Sequence, residues 1–328
     1  VKAIRIHQTG GPEVVQVEEV EAPPPEKGQV LIRVAAAGVN FTDILARQGI
    51  YTTRESALEL PAVLGTEVAG TVVGHGEGVT SPALGTRVAA LVRGGYAEYA
   101  VAVEGMVYPL PPQVDFDAAV AYLVQGITAW QILCDSGRFT AGEQVLVHSG
   151  AGGVGTLAIQ LAKVFGASRV VATAGTAKKR DLAASLGADV CVDYTGPDWW
   201  REVLAATGDR GADVILDAVG GDIGEQSLTC LAPFGRLVEY GVASGRLASF
   251  AGSQLMHRNQ SVTGYWLTSR LAADDHDTTG QIVAHLLEHA AEGKITSVVQ
   301  HVFPLEEAAE AHRAIAGRHT MGKVVLIT

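Results

Sequence analysis

Residues Gly150-Ala151-Gly152-Gly153-Val154-Gly155 lie between a short β-rich apolar run, Val145–His148, and an apolar stretch of helical character that ends at Gly166. This is Gly-x-Gly-x-x-Gly in the strand, turn and helix context that a dinucleotide pyrophosphate requires. Gly150 is expected to allow the tight turn, Gly152 to admit backbone N–H groups to the phosphates, and Gly155 to let helix and strand pack closely. The positive end of the helix then faces the anion. A second β-rich run, Arg169–Thr173, follows at once, as a βαβ unit demands. A purely structural glycine turn is the competing reading, and the flanking strands and helix weigh against it.

The adenosine ribose supplies the next clue. An NAD site carries Asp or Glu about 20 residues beyond the fingerprint, where it accepts hydrogen bonds from the ribose hydroxyls. Here that region reads Ala174-Gly175-Thr176-Ala177-Lys178-Lys179-Arg180, with no acid. Three cations open the predicted helix Lys178–Leu186, where the macrodipole disfavours positive charge unless an anion compensates it. A 2′-phosphate is such an anion, which points to NADPH; a solvated basic turn is the alternative.

Hydrolytic chemistry finds no support. Ser149 stands in no Gly-x-Ser-x-Gly frame, and His148 reads as a strand-end residue rather than a general base. His285, His289 and His312, surface-like and at helical spacing, lack the serine or carboxylate partner that would mark a triad.

These groups need a frame to hold them. The 328 residues are 48% hydrophobic and 18% charged, enough for a large core and two domains. Residues 1–117 carry short alternating runs between turn residues, which predicts an antiparallel β domain. From 118 to 266 helix and strand patterns alternate, which predicts a parallel sheet. Its expected strands are Val145–His148, Arg169–Thr173, Val190–Val192, Val214–Asp217, Arg236–Tyr240 and Ser261–Trp266. The last stretch, 267–328, holds helical patterns at Thr279–Glu292 and Leu305–Ala316 and a strand at Lys323–Ile327; it is expected to return and complete the first domain. The net charge of −11 argues against general nucleic-acid binding. No apolar run is long enough for a bilayer, and the first residues alternate like a strand rather than a signal peptide, so a cytoplasmic location is expected. Cys134, Cys191 and Cys230 suggest neither a disulfide framework nor a zinc knuckle, and read as buried free thiols.

Across nearly its full length the chain resembles the medium-chain dehydrogenase/reductase superfamily, in the quinone oxidoreductase branch that includes zeta-crystallin. The resemblance rests on Gly11-Pro12-Glu13-Val14, Gly38-Val39-Asn40-Phe41-Thr42-Asp43, Gly49-Ile50-Tyr51, Gly65-Thr66-Glu67, Gly126-Ile127-Thr128-Ala129, the Gly150–Gly155 fingerprint and Gly322-Lys323-Val324-Val325-Leu326, in that order. It implies an α/β protein: a GroES-like antiparallel β domain (1–117, completed by 267–328) and a Rossmann doubly wound parallel sheet (118–266). It also implies an active-site cleft between them and a homodimer joined through the Rossmann sheet edges.

The same resemblance distributes the site residues. Gly152, Gly153 and Val154 would contact the pyrophosphate. Gly175, Lys179, Tyr194 and Arg318 would surround the 2′-phosphate, with Lys178 a second cation there. Asn40 and Thr128 would flank the nicotinamide ribose, and Tyr240, Gly241 and Val242 would line the nicotinamide pocket, although a half-buried strand aromatic is an equal reading of Tyr240. Tyr51 would be a wall of the acceptor pocket or a proton relay, and Asp43 either a local cap or a catalyst. Leu45 departs from the aromatic residue that some relatives carry.

No metal is expected. Zinc-dependent relatives place Cys where this chain has Asn40, and Gly-His-Glu where it has Gly65-Thr66-Glu67, so neither thiolate nor imidazole is on hand. Without a Lewis acid, reduction of an already conjugated acceptor is favoured over oxidation of a simple alcohol. The expected activity is therefore NADPH-dependent hydride transfer to a small quinone or enone. Two alternatives stay open: an enoyl-thioester reductase, and an NADPH-binding, RNA-binding or structural crystallin-like protein.

Overall fold

The computed structural model describes residues 1–50, 58–273 and 277–328. They form two compact units, Val1–Ile127 with Leu267–Thr328, and Thr128–Trp266. The first changeover falls later than the expected 117/118, because the helix Phe116–Ala119 packs on strands of the first unit.

The first unit contains β1 (Lys2–Ile6), β2 (Gln16–Glu19), β3 (Gln29–Val39), β4 (Ala62–Val63), β5 (Glu67–His75), β6 (Arg87–Leu91), β7 (Tyr99–Val103) and β8 (Val107–Pro109). From the C-terminal stretch it adds β15 (Val299–Pro304) and β16 (Lys323–Ile327). A seven-stranded sheet runs β15-β16-β3-β5-β6-β8, with β7 also on β3; β2-β1-β4 form a smaller sheet. Alternate residues of β3, Val30, Ile32 and Val34, point into a core shared with Val68, Val72, Val88, Val324 and Leu326. Two antiparallel registers matter for the chemistry. Val324 pairs with Val39, and Val68 pairs with Ala37. Together they bring the end of β3, the start of β5 and the start of β16 to one end of the sheet.

The second unit is built on β9 (Gln144–Val147), β10 (Arg169–Thr173), β11 (Val190–Val192), β12 (Ala212–Asp217), β13 (Leu231–Glu239) and β14 (Ser261–Gly264). They form a parallel sheet in the order β11-β10-β9-β12-β13-β14, the doubly wound Rossmann arrangement. The chain reverses direction of winding between β9 and β12, so ligands are expected outside the carboxyl ends there. Val145, Leu146, Val147, Val214, Ile215 and Leu216 are all fully buried, as continuous apolar runs in a parallel sheet should be.

Several elements differ from the pattern-based expectation, β12 among them, which begins at Ala212 rather than Val214. β13 begins at Leu231 rather than Arg236, since its register slips between Ala212 and Val214. The extra residues bulge outward and leave Phe234 72% exposed with a left-handed φ of 62°. β14 stops at Gly264, short of the expected Trp266, and Leu305–Ala316 divides into a 3-10 turn, Leu305–Glu307, and a helix, Ala308–Ala316. Of the cysteines, all unpaired, only Cys230 is buried; Cys134 and Cys191 are partly exposed, contrary to the expectation for all three. Among the described residues no helix is long and apolar enough to cross a membrane.

His148, just after β9, is a structural tie. The Ser227 hydroxyl donates to the Ile223 carbonyl at 2.7 Å, so at 2.8 Å it accepts from His148 Nε2. Nδ1 then accepts from the Thr173 hydroxyl at 2.8 Å, and the ring stands edge-on to Trp199 at 5.1 Å. Burial pushes this imidazole down to about 3. Because the unfolded chain takes up a proton near 6.5 that the folded ring refuses, stability falls as pH drops from about 6.5 towards 3. In His148→Leu, chemical denaturation across that range should show an acid slope shallower by up to about 1.4 kcal/mol per pH unit. At neutral pH the variant should lose roughly 2 kcal/mol, since Thr173 loses its partner.

Candidate active site

The fingerprint turn joins β9 to the helix Gly153–Val164, with Gly152 at the N-cap. A Cβ on Gly155 would fall on the Ser149 carbonyl and lie 2.9 Å from the Gly150 Cα, so the helix can approach the turn only through glycine. The tight turn itself is taken by Ser149, at φ 52°, and not by Gly150. Gly150 is needed instead because a Cβ there would lie 2.9 Å from that of Ala172 on β10. Backbone N–H groups in the first turn of a helix have no intrahelical acceptor. Those of Gly153 and Val154, beside the Gly152 cap, therefore fit a pyrophosphate.

Next to this cradle, the parallel register Thr173–Val192 brings the ends of β10 and β11 together. Gly175 leaves β10 close to Thr195, 3.2 Å from where its Cβ would stand. Lys178 and Lys179 open the helix Ala177–Ser185, capped by the Thr176 side chain, and Tyr194 follows β11. Lys178 is exposed and Lys179 half-buried. Arg180, the third cation of the run, is committed to the fold: it pairs with Asp193 at 2.7 Å and donates to the Ala174 carbonyl at 3.1 Å.

At the ends of β12 and β13, the Tyr240 N–H donates to the Asp217 carbonyl at 2.9 Å. Gly241 passes so close to Ala218 that a Cβ would be 2.6 Å from its carbonyl oxygen. Asp217 accepts from the N–H groups of Val219 and Gly220, and burial raises its carboxyl above the ordinary range. Burial, and then Asp217, hold the Tyr240 phenol protonated. Val242 continues the same segment.

The first unit holds a buried polar cluster where β3, β5 and β16 meet. Lys323 Nζ donates to Asn40 Oδ1 at 2.8 Å and pairs with Glu67 Oε1. Asn40 Nδ2 donates to the same Glu67 oxygen at 2.7 Å, and the Val124 N–H donates to Oε2 at 2.7 Å. Asp43 opens the helix Phe41–Gln48, and its Oδ2 accepts from the Asn40 N–H and from the Tyr96 hydroxyl, each at 2.8 Å. Asp43 is thus a cap and a tie for Tyr96. Burial pushes its carboxyl up to about 6 against the pull of those two donors. His312 lies beyond, edge-on to Tyr96, and accepts from Arg47 Nη1 at 3.1 Å. It is fully buried, which corrects the surface reading; its helix turns it inward and burial holds it neutral. His285 is exposed and His289 half-buried.

Of the remaining expected residues, Thr128 is buried in the helix Val124–Gln131 and begins the second unit. Arg318 belongs to the first unit, at φ 58° beyond the helix Ala308–Ala316. Tyr51 lies outside the described residues. Lys323, Glu67, Tyr96 and Arg47 escaped sequence reasoning as a group. Glu67 and Lys323 stand inside recognisable short motifs, but they are 256 residues apart, and only the sheet registers join them.

Zinc does not fit the Asn40 cluster. Its oxygens are an amide and a carboxylate, both engaged by an ammonium, with no thiolate or imidazole beside them. Among the described residues no group of three or more His, Cys, Asp or Glu side chains could hold a metal ion.

Comparison with known proteins agrees with both halves. Residues 26–112 match the alcohol dehydrogenase GroES-like domain family and residues 153–288 the zinc-binding dehydrogenase family. The chain is 35% identical over 330 residues to the quinone oxidoreductase of Pseudomonas aeruginosa, covering 99% of each. It is also 35% identical to a segment of a phenolphthiocerol/phthiocerol polyketide synthase of Mycobacterium tuberculosis, matching 98% of this chain but spanning only 14% of that protein. Its fold is similar to that of Escherichia coli quinone oxidoreductase complexed with NADPH, with a TM-score of 0.92, 32% identity and 100% coverage of both chains.

Gly38 gives a direct probe of the buried cluster. A Cβ there would collide with Glu67 Oε1 and lie 2.6 Å from Lys323 Cε. Gly38→Ala should therefore cost about 1–3 kcal/mol in urea unfolding, the range for overpacking a filled core.

Proposed function

This chain belongs to the medium-chain dehydrogenase/reductase superfamily, in its quinone oxidoreductase branch, and on that premise we propose an NADPH-dependent reductase of quinones or related α,β-unsaturated carbonyls that works without zinc. One observation carries the cofactor half: where β10 ends, Gly175, Lys178, Lys179 and Tyr194 stand in place of an acidic ribose reader. In the second unit Lys179 and Lys178 would hold the 2′-phosphate, and the N–H groups of Gly153 and Val154 the pyrophosphate, with Gly152, whose own N–H is given to the Ser149 carbonyl, letting the phosphates approach; Arg318 of the first unit keeps its proposed role at the 2′-phosphate. Tyr240, Gly241 and Val242 would enclose the nicotinamide, with Asn40 and Thr128 at its ribose. NADPH, when bound, supplies the hydride. The residues of this chain align the partners and exclude water, which suffices for an acceptor that already delocalises the incoming charge. Zinc independence is supported by the donor set around Asn40.

A second reading, reduction of an enoyl thioester, is favoured by the match of nearly the whole chain to a polyketide synthase segment. We further propose a homodimer. β14 ends the parallel sheet with one open edge, and Leu247 and Met256 of the same unit are exposed, a combination suited to pairing with a second copy.

Steady-state assays should give a higher kcat/KM with NADPH than with NADH, and Lys179→Ala should raise KM for NADPH about tenfold while leaving NADH nearly unchanged. Equal efficiency with both cofactors would overturn the assignment. Turnover of 1,4-benzoquinone or 9,10-phenanthrenequinone, undiminished by chelators, is expected to exceed that of crotonyl thioesters; the reverse order would establish the second reading.

A further inference from the structure

We propose that Lys323 is a positioning residue that fixes the polarity of the Asn40 side-chain amide, so that Asn40 offers a bound ligand an N–H donor and not its carbonyl. The inference rests on the reading that Asn40 acts at the bound cofactor or acceptor.

A primary amide has nearly the same shape either way round, so packing cannot choose between its two orientations. Hydrogen-bond sense can. Lys323 Nζ can only donate, and it lies 2.8 Å from Asn40 Oδ1. The Glu67 carboxylate can only accept, and it lies 2.7 Å from Asn40 Nδ2. Turning the amide over would set donor against donor and acceptor against acceptor, inside a cluster in which the Lys323 and Glu67 side chains are 0% exposed. Burial makes such a mismatch costly. Glu67 cannot swing aside either, because its other oxygen receives the Val124 N–H.

Counting the hydrogen bonds of Asn40 leaves one outcome. Oδ1 is taken by the ammonium, one Nδ2 hydrogen by the carboxylate and the backbone N–H by Asp43. Among the described residues, a single Nδ2–H has no acceptor. On the proposed reading its partner is a ligand oxygen with a free lone pair: the carbonyl of a quinone or enone, or a ribose hydroxyl. If it is the carbonyl, the bond strengthens as the oxygen gains charge and its loss appears in kcat; if the ribose, the loss appears in cofactor affinity.

Asn40 and Asn259 are the only asparagines in the chain, so selective 15N-Asn labelling yields two side-chain amides, and Asn259→Gln assigns them. The wild-type spectrum should show one Asn40 Nδ2 proton far downfield and slow to exchange, and a second that shifts with ligand. A shift on adding NADPH identifies the ribose; a shift only on adding 1,4-benzoquinone to the NADP+ complex identifies the carbonyl. Two equivalent, freely exchanging protons in the wild type would overturn the lock without recourse to any variant. Lys323→Met should abolish the downfield signal and lower kcat, or NADPH affinity, about a hundredfold, while Lys323→Arg should recover most of the loss. Asn40→Asp keeps the shape but removes the donor. If it leaves kcat, KM and cofactor affinity unchanged, the role of Asn40 itself falls; if it impairs them while Lys323→Met does not, only the lock falls.

Discussion

A lysine ammonium and a glutamate carboxylate sealed from water govern the first unit. Stripping two such ions of solvent costs several kcal/mol each, and their mutual attraction repays it only when their remaining donors and acceptors are also occupied. That requirement reaches outward from Lys323 and Glu67 to Asn40 and the Val124 N–H. Asp43 and Tyr96 extend the cluster through the Asn40 backbone. The C-terminal strand returns beside β3 and so delivers the cation, Lys323. Position 38 must lack a side chain, since the ion pair fills its space.

The second unit solves the opposite problem. Beside internal ion pairs such as Arg236–Glu143, it gathers helix N-terminal N–H groups and lysines along the carboxyl ends of β9 and β10, an arrangement suited to an anion. Arg180 shows the limit of reading charge from sequence: of three successive cations, this one pairs with Asp193 and donates to the end of β10, which the run of residues does not reveal. A chain with an overall charge of −11 can thus present a local cationic edge to a phosphorylated cofactor.

Much of the Rossmann unit was legible in the residues. Arg169–Thr173 and Val190–Val192 are strands with the bounds that their apolar runs suggest, because buried parallel strands are short, continuous and flanked by turn residues. β13 was not legible in full. Pro233, Phe234 and Gly235 break its apolar run, and only pairing with β12 shows that the strand resumes across the bulge. His312 was misread for a related reason. Its immediate neighbours in sequence, Ala311 and Arg313, are small or polar, and its contacts come from Tyr96 and Arg47, far away in the chain.

Glycine spacing, apolar periodicity and the missing acid after the second Rossmann strand are local properties, carried by residues within a few turns of one another. They were enough to predict the strand, turn and helix of the fingerprint and the antiparallel and parallel sheets, and to point to NADPH. Which distant side chains meet was decided by tertiary structure alone. A one-residue slip in the pairing of β16 with β3 would carry Lys323 to the other face of the sheet and leave Glu67 buried without a counter-ion. Register, and hence the orientation of Asn40, is selected by the free energy of the whole sheet, which no short stretch of residues contains.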